Sequence, residues 1–346
     1  MSYFRPVVTK AAGHRPSPYL SPDAPILKLN SNENPYPPSP QALDTLRTLD
    51  GEWLRRYPDP YAQEFCTVAA AALDVPADWI IPGNGCDDLL NLLIRACAGP
   101  GRPVVYPAPT YGLYATLAQI CGAQSVEILY DAAYPLPIDR LVDAHGALTV
   151  IASPNSPFGY QSSLAELGEL AARVSGLLVI DEAYVDFAEG SALGLVQQYD
   201  HVMVLRTLSK GYSLAGLRFG FGIAQPALLA QIWKVKDSYG VDAIAIQVAA
   251  AAMADQPYKN KCVARIKLGR QQLADALRQL GFQVYPSHGN FVLAAHAQAQ
   301  RLHDDLRRNR VWVRHFDQPG LRDKLRITVG TPEQNIQLLT RLEELL

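Results

Sequence analysis

The sequence predicts an α/β protein: a mostly parallel sheet covered by helices on both faces, followed by a second, smaller α/β unit. Three observations carry this. Short apolar runs such as Leu148–Ala152 and Leu177–Asp181 alternate with helical stretches, and strands apolar on nearly every residue are those buried on both faces. The length of 346 residues is enough for about two domains. Beyond residue 240 the strand and helix pattern restarts on its own.

The elements follow in order. Residues 1–38 hold most of the chain's densest proline run, and proline blocks helices and central strands, so an extended arm is expected there. Ser39-Pro-Gln-Ala-Leu opens a helix, with a Ser cap and Pro at the first position. A second helix is expected over Ala62–Leu73. The turn Gly83-Asn-Gly85 feeds a third over Asp87–Arg95; such a helix start offers unpaired N–H groups to an anion. Strands are expected at Pro103–Tyr106, Ser125–Leu129, Leu148–Ala152, Leu177–Asp181, His201–Arg206 and Phe219–Ala224. A long helix, 226–238, then leaves the sheet. Helices 243–254 and 258–280 lead into strands at 282–285, 291–294, 311–314 and 325–329, with helices 299–308 and 332–345 between and after them. The expected division is an arm at 1–38, a large unit at 39–240 and a small unit at 241–346.

Composition narrows the function classes. Hydrophobic residues make up 49% and charged residues 18%, with a formal net charge of −2. That leaves no basic excess for nucleic acid or an anionic membrane. No apolar run reaches the roughly 18–20 residues of a membrane span. Cys66, Cys86, Cys97, Cys121 and Cys262 are scattered, without a Cys-x-x-Cys pair or a histidine cluster. They read as reduced thiols of a cytoplasmic protein, with no metal site. The first residues have no apolar core of a secretory signal.

One stretch carries chemistry: Thr207-Leu-Ser-Lys-Gly-Tyr-Ser-Leu-Ala-Gly-Leu-Arg-Phe-Gly220. Taken alone, a Ser-Lys turn is more often a solvated lysine. Lys210, however, follows a buried strand and precedes an apolar run. A lysine in such a site can attack a carbonyl and form a Schiff base. Thr207, Ser209 and Arg218 around it could hold a phosphate. A carbonyl and a phosphate on one small molecule suggest pyridoxal 5′-phosphate. Tyr111, Asn155, Asp181 and Lys210 all fall at C-terminal strand ends, where ligands bind in such sheets.

With these pieces in order, the chain resembles the fold-type-I pyridoxal-phosphate aminotransferases, and among them most closely the histidinol-phosphate group. The carriers are Leu29-Asn-Ser-Asn-Glu-Asn-Pro-Tyr36, Arg56-Tyr-Pro-Asp59, Gly83-Asn-Gly-Cys-Asp-Asp88, Tyr106-Pro-Ala-Pro-Thr-Tyr111, Asp181-Glu-Ala-Tyr184, Thr207-Leu-Ser-Lys210 with Ala215-Gly-Leu-Arg218, and Leu325-Arg-Ile-Thr-Val-Gly-Thr331. The resemblance implies an aspartate-aminotransferase-like large unit with a seven-stranded sheet. It also implies a homodimer with shared sites, and ping-pong transfer from L-histidinol phosphate to the 2-oxo acid 2-oxoglutarate. An aromatic amino acid aminotransferase and a threonine-phosphate decarboxylase remain open on the same frame, as does a cofactor-binding protein without catalysis.

The resemblance also implies roles. Lys210 would be the Schiff-base lysine and proton-transfer base, and Asp181 would lie against the pyridine nitrogen. Tyr184 and Asn155 would contact the ring oxygen, and Tyr111 would stack on the ring. The phosphate would meet Cys86, Asp87, Thr207, Ser209, Arg218 and Tyr57 of the partner subunit. Arg326, Arg314, Tyr19 and Asn34 would face the substrate. Two departures stand out: Ser156 where the family has an Asn before the second proline of its loop, and Phe158 where it has a Thr.

Overall fold

Strand after strand, successive side chains go to opposite faces, and here both faces are apolar. Val104 and Tyr106 pack in one buried cluster while Val105 between them packs in another, and Val179 and Ile180 divide in the same way. That alternation explains why the sheet needs helices on both sides. The protein is described from a computed structural model, which covers residues 3–11, 13, 21, 23–130 and 135–346.

In chain order the strands are β1 (Leu27–Lys28), β2 (Ile80–Gly83), β3 (Val104–Ala108), β4 (Ser125–Leu129), β5 (Leu148–Ala152), β6 (Leu177–Asp181), β7 (Val202–Thr207), β8 (Gly220–Ile223), β9 (Gln283–Val284), β10 (Phe291–Ala295), β11 (Val311–Trp312), β12 (Arg314–His315) and β13 (Lys324–Thr328). Seven of them form the large sheet in the order β2-β8-β7-β6-β5-β3-β4. The sheet is parallel except for β8, which runs against both neighbours. Its register pairs Gly220 with Gly83 on one side and Thr207 on the other. A Cβ at Gly220 would lie 2.6 Å from the Cys86 nitrogen, so only glycine lets the helix start there come so close. This junction puts the start of helix Cys86–Cys97, the end of β7 and the Arg218 turn at one edge.

A smaller antiparallel sheet, β12-β13-β10-β9, has its own buried cluster with Leu273, Leu302 and Leu338 from three helices. Leu27 and Leu29 belong to that cluster, and β1 pairs in parallel with β11.

Four expectations need correction. The arm is not wholly extended: Pro6–Lys10 is a short helix, with proline at its permissive first turn. The helix from Pro226 ends at Ile232 and gives way to turns. Helix Ala243–Ala254, expected in the small unit, packs against helices Gln63–Leu73 and Pro40–Thr48 of the large one. Its face is apolar all round, and Ala249, Ala252 and Met253 are buried there. The strand expected at 311–314 is split, with 311–312 and 314–315 pairing in different sheets.

Candidate active site

The parallel strands all end on one edge, and the residues just past those ends make the site. Asp181 closes β6 and Thr207 closes β7. Tyr111 follows β3, and Ser153–Gly159 follows β5. Lys210 lies in the loop after β7, half-buried, with its Nζ 5.8 Å from the centre of the Tyr184 ring and 3.3 Å from the Ser31 carbonyl oxygen.

Asp181 is the buried acid of the site. Its Oδ2 accepts from the Tyr114 hydroxyl at 2.6 Å, and its Oδ1 accepts from the Ala183 N–H at 3.1 Å. Burial pushes its carboxyl up to about 6, against the pull of those two donors. An acid in this state is stabilised by a cationic partner. Sequence reading missed Tyr114. Its one signal is the spacing of three from Tyr111, which places both on one side of a helix start, but a fully buried core tyrosine has the same signature.

At the other end sits an anion-binding geometry. Helix Cys86–Cys97 starts at Gly85, whose φ is +82°, and no side chain caps its first turn. Arg218, itself at φ +55°, reaches over Gly85: a Cβ there would lie 2.7 Å from its Nη2. Arg218 donates to Asp87 Oδ2 at 3.3 Å, and the Tyr111 hydroxyl donates to Asp87 Oδ1 at 3.3 Å. Thr207 and Ser209 are buried alongside. The Cys86 thiol points away and donates to the Arg206 carbonyl at 3.1 Å, leaving its backbone as the group on offer.

Arg326 lies in β13, opposite Arg314 in β12. Its Nη1 donates to Ser156 Oγ at 2.8 Å and its Nη2 to the Asn30 carbonyl at 2.9 Å, while its Nε is buried without a hydrogen-bond partner among the described residues. Burial works against its charge, and Arg314 adds to that. Both guanidiniums lie over the Phe316 ring, at 5.4 and 5.6 Å. Two cations directly opposite on neighbouring strands repel, so an anion between them would remove a cost.

The remaining expected residues have these surroundings. Asn155 is 1% exposed; its Nδ2 donates to the Pro109 carbonyl and Thr110 Oγ1 after β3, and its Oδ1 accepts from Phe158 N–H within its own loop. Ser156 is the member of that loop that reaches Arg326. Asn34 donates to the Lys210 and Gly211 carbonyls and so holds the lysine loop. Phe158 packs edge-on against Tyr285 and Tyr130. Tyr57 is 81% exposed and stacks on Tyr239 at 4.4 Å. Tyr19 lies outside the described residues.

The sequence pattern of the family described as Aminotransferase class I and II matches residues 24–342. The chain belongs to this aminotransferase family. It is similar to the histidinol-phosphate aminotransferase 1 of Trichormus variabilis, at 55% identity over 100% of this chain and 99% of that protein. It is also similar to the histidinol-phosphate aminotransferase of Citrifermentans bemidjiense, at 45% identity over 92% of this chain and 91% of the relative. Among solved structures, the histidinol-phosphate aminotransferase of Sinorhizobium meliloti, in complex with pyridoxal-5′-phosphate, matches at 25% identity with a TM-score of 0.89, covering 100% of this chain and 99% of that one. The seven-stranded sheet is thus the aminotransferase fold. Among the described residues no helix is long and apolar enough to cross a membrane, and no three metal-binding side chains gather.

Proposed function

We propose that the protein is a pyridoxal-phosphate enzyme that transfers the amino group of L-histidinol phosphate to 2-oxoglutarate, giving imidazole acetol phosphate and glutamate. The observation that carries this reading is the end-to-end 55% identity to a histidinol-phosphate aminotransferase. It is joined to a site holding an amine, a buried acid and an anion cradle at one edge of the sheet. These residues fit the cofactor. The glycine-lined helix start and Arg218 suit a phosphate, and the raised Asp181 carboxyl suits a protonated ring nitrogen.

Pyridoxal phosphate, when bound, supplies the carbonyl that takes up the amino group and the ring that draws electrons from the carbon losing a proton. The chain's residues do the rest. Lys210 would hold the carbonyl and move the proton, and Asp181 would keep the ring nitrogen protonated. Tyr184 would donate to the ring oxygen, and Tyr111 would cover a ring face. The first-turn N–H groups at Cys86 and Asp87, with Thr207, Ser209 and Arg218, would take the phosphate. Arg326 and Arg314 would hold the substrate's anionic group, in a small unit that begins after helix Ala243–Ala254. The protein would work in the cytoplasm, where its free cysteines stay reduced.

The same reading makes the protein a homodimer. Trp53, Leu54, Tyr57 and Tyr61 are all exposed, and Trp53 and Tyr57 border a cavity of about 490 Å³. Exposed aromatic side chains in one region suit a second copy, with Tyr57 reaching the partner's phosphate. Mixing Lys210→Ala and Tyr57→Phe proteins should restore part of the activity each lacks; a monomer in sedimentation would contradict the shared site.

The decisive assay compares histidinol phosphate, phenylalanine and threonine phosphate side by side. The expected result is the highest kcat/KM with histidinol phosphate, with Arg314→Ala lowering it about 10- to 100-fold, the worth of a charged hydrogen bond. Faster turnover of phenylalanine, indifferent to Arg314→Ala, would overturn the substrate assignment.

A further inference from the structure

We propose that Asn32 is a positioning residue that fixes the Tyr184 hydroxyl as a donor toward the cofactor's ring oxygen; the inference rests on the cofactor reading above. Asn32 is 1% exposed and sits at φ +53°, a left-handed conformation that Asn tolerates better than most residues. Every polar group it owns is engaged. Its N–H donates to Thr328 Oγ1 at 2.9 Å, and the Thr328 hydroxyl donates back to Asn32 Oδ1 at 3.2 Å. Asn290 Nδ2 donates to its carbonyl at 3.0 Å. These bonds pin the amide oxygen on Thr328, so the Nδ2 side must face Tyr184, and it donates to the Tyr184 oxygen at 2.9 Å.

The consequence is directional. The Tyr184 oxygen already accepts from Asn32, so its own hydrogen points elsewhere. Lys210 stands over its ring, and Arg326 and Tyr111 are the other charged or titratable groups that interact with it, beside Asp181 three residues away. Among these Lys210 and Arg326 offer donors, which leaves the hydroxyl as the donor to a ligand oxygen placed between them. A residue that merely tied segment 30–34 to the small sheet would not depend on which partner donates.

The test uses the holoenzyme and follows the pH midpoint of the bound cofactor's yellow absorbance, in a double-mutant cycle with Tyr184→Phe. Asn32→Gly keeps the backbone bonds and the left-handed φ while deleting the amide. It should raise the midpoint by about one pH unit, as expected for loss of a hydrogen bond to the charged form, and should do nothing further in the Tyr184→Phe background. Asn32→Asp keeps the shape and the Thr328 bond but turns the donor into an acceptor, so the Tyr184 hydrogen turns inward. Its rise should be larger beside Tyr184 than in the Tyr184→Phe background, where only the added charge acts. A midpoint unchanged in Asn32→Gly overturns the inference, as does an Asn32→Asp rise of equal size in both backgrounds. A wild-type protein that takes up no colour would instead overturn the cofactor reading itself.

Discussion

At one end of the site Asp181 is 6% exposed, with Tyr114 2.6 Å away and Tyr184 held by Asn32. At the other, Arg218 and Asp87 pair at 3.3 Å with their side chains nearly half exposed. The first end is held by the chain's own groups. Its Tyr114–Asp181 hydrogen bond is buried, and Glu182 beside Asp181 pairs with Arg206 at 3.0 Å. The second is a surface ion pair, worth at most about 1 kcal/mol, that a phosphate can displace. On the proposed reading, electrostatic preorganisation is concentrated where charge would be held during chemistry. The proposed anion end would need affinity, and its charges are loosely held.

Substitutions can break that contrast, beginning with the largest effect. Lys210→Ala removes the site's amine and should cost at least about 1,000-fold in kcat, the upper part of the range for a proton-transfer group. Steady-state and single-turnover assays would show it. Asp181→Asn should cost about 100-fold or more in kcat and yet stabilise the cofactor-free protein. The sign follows from linkage. Burial raises the folded carboxyl to about 6 from its ordinary 3.8, so the folded state binds the extra proton and loses stability as pH rises from about 4 to 6. The variant should therefore be more stable by about 3 kcal/mol at pH 8, with the gain fading toward pH 4 in denaturant titrations.

Tyr114→Phe acts in the opposite sense. It removes a donor that favours the ionised carboxylate, so the cofactor-free protein should lose about 1.5–3 kcal/mol at pH 8 and less at pH 4. At the loose end the effects shrink. Arg218→Lys gives up the fork and should weaken cofactor affinity about tenfold, measured by fluorescence titration. Asp87→Asn should change stability by less than about 1 kcal/mol. If Arg218→Lys proved more damaging to kcat than Asp181→Asn, the contrast between the ends would fail.

The strands, their parallel order and the placement of Asp181, Tyr111 and Lys210 at one edge were legible because period and apolar runs report burial directly. The reversed β8 was not, since an edge register leaves no mark on composition. Asn155 and Asn34 could be placed near the site but not aimed. Their amides choose partners such as Thr110 and the Lys210 carbonyl, which lie 45 and 176 residues away in the chain. Helix Ala243–Ala254 is apolar on all sides, so its pattern could not say which unit it joins. Tyr114 and Asn32 were hidden for the same reason: a buried polar residue looks alike in sequence whether it fills a core or orients a catalytic group.

The most direct test is reduction of the cofactor-loaded protein with borohydride, followed by peptide mass spectrometry. The cofactor should be found on the peptide carrying Lys210, with no label there in Lys210→Ala and the colour lost. Label on a different lysine of the wild-type protein, or full activity in Lys210→Ala, would contradict a site organised between Asp181 and Arg218.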